Sequence, residues 1–245
     1  LFPCDKRPTM TCRMLKVTNG CGRLSFAIRA DNQRPWWREL NLDGQPLYQI
    51  GNNCDTCEAL FDRLNVAEMP LAPVELANRL RAGLLELSQE VLDTVAAILP
   101  NGRYAAALLS ISPAHFPAAH RLRGGSARHP LRQKTMLSQT IALPEVFLPL
   151  VGEGQYDPSA IEAYEEAIAA GRFPTALALS VLDVRYPSGK AFEWQLAHFL
   201  LDGHHKIMAA SRVGRPISLL SFYALDESFA PKSEVDQVLK LRYKT

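Results

Sequence analysis

From about residue 140 to the C-terminus, strand-like and helix-like segments alternate, and this order constrains the fold more than any other feature. Apolar runs with the length of buried strands occupy residues 140–150, 175–184, 192–201 and 217–223. Asp157 and Pro158 are a typical N-cap and first-turn pair for a helix that Gly171 ends, and a second helix is predicted over 203–212. The alternation predicts an α/β domain in which helices pack on a sheet.

The N-terminal part has a different character, because residues 1–67 hold all five cysteines and two short stretches in which polar and apolar residues alternate. The stretches are residues 23–28 and 46–50. Asp43 and Gly44 form a turn signal just before the second stretch. We therefore expect a small Cys-containing β-rich module here, with a short helix over residues 54–64.

A helical segment follows over residues 73–99, where apolar residues recur at steps of three and four with charges between them. These apolar positions are Leu76, Leu80, Leu84, Leu87, Val91, Val95 and Ile98. Such a stripe is typical of a helix face in the protein core. Gly83 is expected to divide the segment into two helices, and Pro100 ends it.

A basic segment extends over residues 103–134, within a longer stretch between Asp93 and Glu145 that contains no acidic residue. Its side chains include five arginines, one lysine and three histidines, and Gly-Gly-Ser at 124–126 indicates a loop. Such a loop would attract phosphates of a nucleotide or of a nucleic acid. The alternative is a solvated loop, which the small net charge of +2 favours.

The cysteines offer a second candidate site. Cys54 and Cys57 form a C-x-x-C pair, and Cys12 and Cys21, with Cys4, would complete a tetrahedral structural zinc site. The upstream spacings match no standard zinc finger, so a redox pair and plain reduced cysteines remain alternatives. The odd cysteine count is atypical of a secreted disulfide scaffold and favours a reducing, cytoplasmic setting.

The most informative motif lies where an apolar strand runs into Asp202 and Gly203, followed directly by the polar start of a helix at His204, His205 and Lys206. The N-terminus of a helix binds anions, because its first N–H groups are unpaired and the helix dipole is positive there. Gly203 would let a phosphate approach the backbone, and the next three side chains would add donors. Asp202 would cap the helix, hold a metal ion or polarise a hydroxyl group. The alternative is a capping Asp-Gly turn followed by two surface histidines.

In this region the chain resembles the ParB/sulfiredoxin superfamily over residues 138–225. The matching elements are the helix end EAIAAG at 166–171, the strand at 175–182, LDGHHK at 201–206, Ala-Ala at 209–210, Gly-Arg-Pro at 214–216 and the strand at 217–222. The resemblance makes the expected protein α+β, with a ParB/sulfiredoxin-like domain at 136–245. The β-rich module at 1–67 and a helical segment with a basic loop at 68–135 precede it.

The resemblance implies a nucleotide-binding protein, an NTP-dependent phosphotransferase or NTPase that uses a nucleoside triphosphate with Mg²⁺ and a small-molecule acceptor. Asp202, His204 and Glu153 would be catalytic, and Gly203, His204, His205 and Lys206 would bind the nucleotide. Lys206 replaces the commoner Arg, which keeps the charge and loses the bidentate fork. No cysteine follows Gly203, which argues against sulfiredoxin chemistry.

A second hypothesis is a zinc-containing nucleic-acid-binding or interaction protein whose nucleotide site is degenerate. In it, the Cys-containing module and the basic segment at 103–134 would bind nucleic acid. The absence of a recognisable helix-turn-helix pattern after residue 225 argues against a chromosome-partitioning DNA binder. No apolar run reaches the roughly 18–20 residues that a membrane span needs, so a membrane partner is not expected.

Overall fold

The computed structural model describes residues 12–29, 37–51, 60–68, 71–114, 131–139, 141–185 and 193–243. The strands are β1 (Cys12–Val17), β2 (Leu24–Arg29), β3 (Trp37–Leu42), β4 (Gln45–Gly51), β5 (Leu60–Arg63), β6 (Gly102–Ile111), β7 (Leu131–Met136), β8 (Ala142–Pro149), β9 (Thr175–Arg185), β10 (Glu193–Asp202) and β11 (Ile217–Ala224). The helices are α1 (Val74–Ala82), α2 (Gln89–Ala96), α3 (Pro158–Ala169), α4 (His204–Val213) and α5 (Lys232–Tyr243). Predictions for Cys4, Cys54 and Cys57 and for residues 115–130 lie outside the described residues.

A seven-stranded mixed sheet in the order β1-β6-β11-β9-β10-β8-β7 is the centre of the fold. The pairs β8–β10 and β9–β11 are parallel, and the other four pairs are antiparallel. Helices α3 and α4 connect β8 to β9 and β10 to β11. The fold is therefore α+β, and the four strands and two helices predicted from residue 140 onwards are confirmed.

Each face of the large sheet is covered by its own layer. A four-stranded antiparallel sheet, β2-β3-β4-β5, packs on one face together with α1 and α2. Helices α3, α4 and α5 cover the other face. Alternate residues of β9 enter the two cores, with Leu177 and Leu179 on one side and Ala176 and Ala178 on the other. This alternation follows from the two-residue period of a strand.

The predicted strands of the N-terminal part are confirmed as β2 and β4, and the turn before β4 is also confirmed. Asp43 (φ 50°) and Gly44 (φ 77°) both adopt the left-handed conformation that a two-residue hairpin turn requires. The short helix predicted over 54–64 is wrong for its last part, because residues 60–63 form β5 on the edge of the small sheet. Pairing with β4 there overrides the helical spacing of the apolar residues.

The helical segment is confirmed as two helices, and the break at Gly83 fixes where α1 ends. Gly83 has φ 93°, and a Cβ atom there would lie 2.3 Å from the carbonyl oxygen of Phe173. The next N–H, that of Leu84, donates to the hydroxyl of Thr175 at 2.8 Å. These two contacts place the C-terminal end of α1 against the start of β9.

The basic loop predicted over 103–134 is wrong at both of its ends. Residues 102–111 form β6, which lies between β1 and β11, and residues 131–136 form β7. Six consecutive buried residues over 104–109 explain the strand, because β6 is covered on both faces. Arg103 is paired with Asp226 at 2.5 Å. β1, from the part of the chain before residue 67, joins the large sheet by pairing with β6.

Among the described residues, no helix combines the length and the apolar character that crossing a membrane requires.

Candidate functional site

A cleft of about 650 Å³ opens where β10 ends and α4 begins. Asp202, Gly203, His204, His205 and Lys206 all line it, and α1 and α3 contribute its walls. The structure thus brings the whole predicted Asp-Gly-His-His-Lys segment to one concave surface. The volume is in the range of small-molecule sites.

Gly203 makes the sharp transition from strand to helix. It adopts a left-handed conformation with φ 99°, directly after an irregularity in the β9–β10 register between Leu200 and Asp202. A Cβ atom at residue 203 would lie 2.8 Å from the Cβ atom and 2.9 Å from the Cα atom of Ala176. Both the backbone conformation and the close approach of β9 therefore require glycine here.

Asp202 and Lys206 form an ion pair at the cleft. The Lys206 ammonium donates to Asp202 Oδ2 at 2.6 Å and to the carbonyl oxygen of Thr175 at 2.9 Å. Only 3% of the Lys206 side chain is exposed, and burial lowers its pKa against the opposing effect of Asp202. The sequence predicts Lys206 as a phosphate donor, whereas in the structure its charge is already balanced within the protein.

The two histidines are neutral at pH 7. Burial, together with the proximity of His205 and Lys206, lowers the pKa of His204 to about 3, because a proton on His204 would be repelled by charge on either neighbour. Its Nε2 atom is buried and has no hydrogen-bond partner among the described residues. Burial also lowers the pKa of His205, whose Nε2 accepts the N–H of Asp157 at 2.9 Å. The pair therefore adds hydrogen-bonding atoms to the cleft but no positive charge.

The positive charge of the cleft comes from Arg81 of α1 and from Arg172, which follows α3. Neither guanidinium has a carboxylate partner among the described residues, and Asp202 is the one acidic residue of the lining. Since Lys206 balances Asp202, the described lining carries a net charge of about +2.

Sequence reasoning missed both arginines. A signal for Arg81 exists in α1, because no acidic residue lies three or four positions from it, whereas Arg79 has Glu75 four positions earlier. Arg172 directly follows Gly171, the residue predicted to end the helix that starts at Asp157. The sequence does not show that the side chains of Arg81 and Arg172 line the same cleft, because their proximity depends on how α1 packs in the fold.

Glu153, predicted as a catalytic carboxylate, belongs to a short 3-10 turn, Glu153–Gln155, that precedes α3. The backbone of Gln155 in this turn accepts hydrogen bonds that raise the pKa of His204 and of His205 against the effect of burial. The turn is therefore next to the histidine pair.

A second polar cluster has the residue types of a hydrolase triad. His198 Nδ1 lies 2.7 Å from Ser180 Oγ, and His198 Nε2 lies 2.8 Å from Glu145 Oε2. Arg242 of α5 donates to both oxygens of Glu145, at 2.7 and 3.0 Å. The side chains of His198 and Glu145 are completely buried. A substrate could not reach this cluster, which is therefore structural.

Two of the predicted zinc ligands, Cys12 and Cys21, belong to the described residues. Cys12 pairs with Ala107, and Val17, at the other end of β1, pairs with Gly102. Cys21 follows β1, and its N–H donates to the carbonyl of Ala97. No group of three potential ligands occurs within the described ranges. Because Cys4, Cys54 and Cys57 lie outside those ranges, the zinc site stays a prediction.

Comparison with known proteins leaves the cleft as the main evidence for function. No family model matches the chain, and neither curated proteins nor solved structures gave a match. Function is therefore inferred from the cleft and from the motifs within residues 138–225.

Proposed function

We propose that this protein binds a nucleotide in the cleft, through a C-terminal domain of the ParB/sulfiredoxin type. The observation that carries the proposal is the charge of the cleft lining. Arg81 and Arg172 have no described carboxylate partner, and the Asp202–Lys206 pair is neutral as a whole. Phosphate groups would compensate the two guanidinium groups, which are well suited to bidentate contacts with them.

The start of α4 supports the same assignment. The helix has ten residues, and its N-cap, Gly203, has no side chain to bond the first N–H groups. Such groups favour a phosphate, and the helix dipole adds to the attraction. The Nε2 atom of His204, which is buried and has no hydrogen-bond partner among the described residues, lies in this first turn.

For the reaction we propose phosphoryl transfer to a small acceptor, or hydrolysis, with Asp202 and His204 as catalytic residues. Arriving phosphates would attract the Lys206 ammonium and loosen its contact with Asp202, which would free the carboxylate to accept a proton. His204, neutral at pH 7, would be a second proton acceptor. Glu153, in the adjacent turn, is the third candidate.

A Mg²⁺ ion that accompanies a nucleoside triphosphate needs few protein ligands, because phosphates and water supply most of its coordination. Asp202 fits this role, since its Oδ2 contacts Lys206 and its other oxygen has no hydrogen-bond partner among the described residues. When bound, Mg²⁺ would neutralise charge on the transferring phosphoryl group. A structural zinc ion on Cys54 and Cys57 stays a prediction from the sequence.

A binding panel followed by one substitution tests the proposal. ATP, ADP, CTP and GTP, each with Mg²⁺, are screened by thermal shift, and a selective rise in melting temperature is expected. Asp202→Asn keeps an oxygen for Lys206 and removes the carboxylate charge. We expect nearly normal nucleotide affinity by calorimetry and at least a hundred-fold slower phosphate release, as is typical for loss of a general base.

Phosphate release at the wild-type rate by the Asp202→Asn variant would reduce Asp202 to a structural role. Absence of any nucleotide shift, combined with salt-sensitive binding of DNA or RNA, would instead support the nucleic-acid-binding hypothesis.

A further inference from the structure

We propose that the ligand of the cleft is an anion joined to a flat apolar group, and that Arg81 of α1 binds its anionic end. This inference rests on the cleft of the proposed function but does not require the ligand to be a nucleotide. Arg81 lies outside residues 138–225, so the family resemblance says nothing about it.

Arg81 is placed close to the charged end of the cleft. Its positive charge lowers the pKa of Lys206 in addition to the effect of burial. Burial raises the pKa of the Tyr164 hydroxyl, and a hydrogen bond from Arg81 acts against this rise. Arg81 therefore lies close to both Lys206 of α4 and Tyr164 of α3, and the Lys206 ammonium itself is 5.9 Å from the centre of the Tyr164 ring.

The fold holds this end of α1 in position. Gly83 packs against the carbonyl of Phe173, and the N–H of Leu84 donates to Thr175. The carbonyl of the same Thr175 accepts the Lys206 ammonium. Thr175 of β9 thus connects the end of α1, which carries Arg81, to the first turn of α4. Because these two elements are already held in place, binding an anion between them costs less entropy.

Before a ligand binds, Lys206 is less available to the anion than Arg81 is. Its ammonium is already bonded to Asp202 and to Thr175, and it is buried. Arg81 is exposed at the cleft and has no carboxylate partner among the described residues. A planar guanidinium can also hold two oxygens of one phosphate.

Another part of the cleft lining is apolar and formed by small side chains. Val74 and Ala77 of α1 and Ala160 and Ala163 of α3 belong to it. The Val74 side chain is 71% exposed. Arg81 is seven residues after Val74, which corresponds to about 10 Å along α1. A ligand with an anionic group and an aromatic or similarly flat group would contact both Arg81 and these apolar side chains.

The probe that separates this inference from nucleotide binding is 2-naphthyl phosphate, titrated by calorimetry against the full chain. Inorganic phosphate and 2-naphthol are the comparison ligands, because each has one half of the proposed chemistry. We expect 2-naphthyl phosphate to bind at least ten-fold more tightly than either. Arg81→Ala should weaken its binding about ten-fold or more, the loss expected for one charge-assisted hydrogen bond.

Control variants are available outside the cleft lining. Arg215→Ala removes an exposed arginine that follows the C-terminal end of α4, and it should leave the affinity unchanged. Ala163→Leu should fill the apolar part of the cleft and weaken binding, whereas Ala169→Leu, also on α3 but outside the cleft lining, should not. Melting temperatures of all four variants without ligand show whether each is folded.

Three results would overturn the inference. The first two are no binding of 2-naphthyl phosphate, and binding of it that Arg81→Ala does not change. The third is nucleotide binding that is insensitive to Arg81→Ala, which would leave the proposed function intact. Binding of 2-naphthyl phosphate that depends on Arg81, without binding of any nucleotide, would overturn only the proposed function.

Discussion

Single residues decide the shape of the cleft, and Gly203 is the clearest case. Its left-handed φ and its contact with Ala176 permit the direct change from β10 to α4. From the sequence alone, glycine at this position suggests close approach of a phosphate to the backbone. The structure adds a packing requirement, because the volume that a side chain would occupy is taken by β9.

We therefore expect Gly203→Ala to lower the free energy of unfolding for two reasons: the left-handed backbone at this position and the steric clash of the new side chain with Ala176. A non-glycine residue in the left-handed region costs about 1–2 kcal/mol, and displacing Ala176 adds to this. Gly214→Ala is the control, since Gly214 also has positive φ (62°) but no atom within 4 Å of the added Cβ. Urea unfolding should show a larger loss for Gly203→Ala. Equal losses for the two variants would contradict the close approach to Ala176.

At the scale of secondary-structure elements, a buried network of polar side chains joins four strands of the large sheet to α5. Ser221 of β11, Ser180 of β9, His198 of β10 and Glu145 of β8 form a hydrogen-bonded row across four strands. Arg242 connects this row to α5. An unpaired buried charge is costly, so the row is stable only while Glu145 is ionised.

The network predicts that acid destabilises the protein. Burial alone would raise the pKa of Glu145. Contacts with Arg242 and His198 lower it by a larger amount, so the pKa of Glu145 in the folded protein is below 4.5. Burial lowers the pKa of His198 below 6.5 in spite of Glu145. Both groups bind protons more readily in the unfolded chain, so the free energy of unfolding should fall as pH decreases below about 6.5, and again below about 4.5.

Urea unfolding at a series of pH values between 7.5 and 4 measures this dependence. Glu145→Gln should be less stable than wild type at pH 7, by about 3–5 kcal/mol, because Arg242 loses its buried partner. It should also lose the part of the acid dependence that lies below about pH 4.5. A free energy of unfolding that stays constant from pH 7 to pH 4 in the wild type would contradict the assignment.

At the level of elements, the sequence predicts continuous apolar strands well and edge or alanine-rich strands poorly. The run at 175–184 is identified because every position except Asp183 is apolar or small, as in a strand buried on both faces. β6 was not predicted, because its alanines have low strand propensity and Arg103 begins a stretch rich in basic residues. β5 was misassigned because four residues carry too little periodicity to overrule a helical spacing.

The same contrast holds for the site. The Asp-Gly-His-His-Lys junction could be predicted because its chemistry is local to one strand–helix connection. Arg81 could not, since it comes from a distant part of the chain and reaches the cleft only through the packing of α1 on β9. The pairing of Lys206 with Asp202 could not be predicted either. The two residues are four positions apart, but this spacing alone does not show which group the lysine contacts.

At the scale of the whole molecule, the cleft lies where separate layers meet. α1 belongs to the layer on one face of the large sheet, and α3 and α4 belong to the layer on the other. They meet at the end of the sheet where β10 stops and β9 starts. A ligand in the cleft would therefore contact both layers and stabilise their arrangement, which links binding to global stability.

A crystal structure of the protein with the nucleotide that produces the largest thermal shift tests the central claim most directly. We predict that its phosphates lie within hydrogen-bonding distance of the Arg81 guanidinium and of the first N–H groups of α4, with the base toward Val74 and Ala163. A nucleotide bound elsewhere on the protein, with the cleft free of it, would contradict the account.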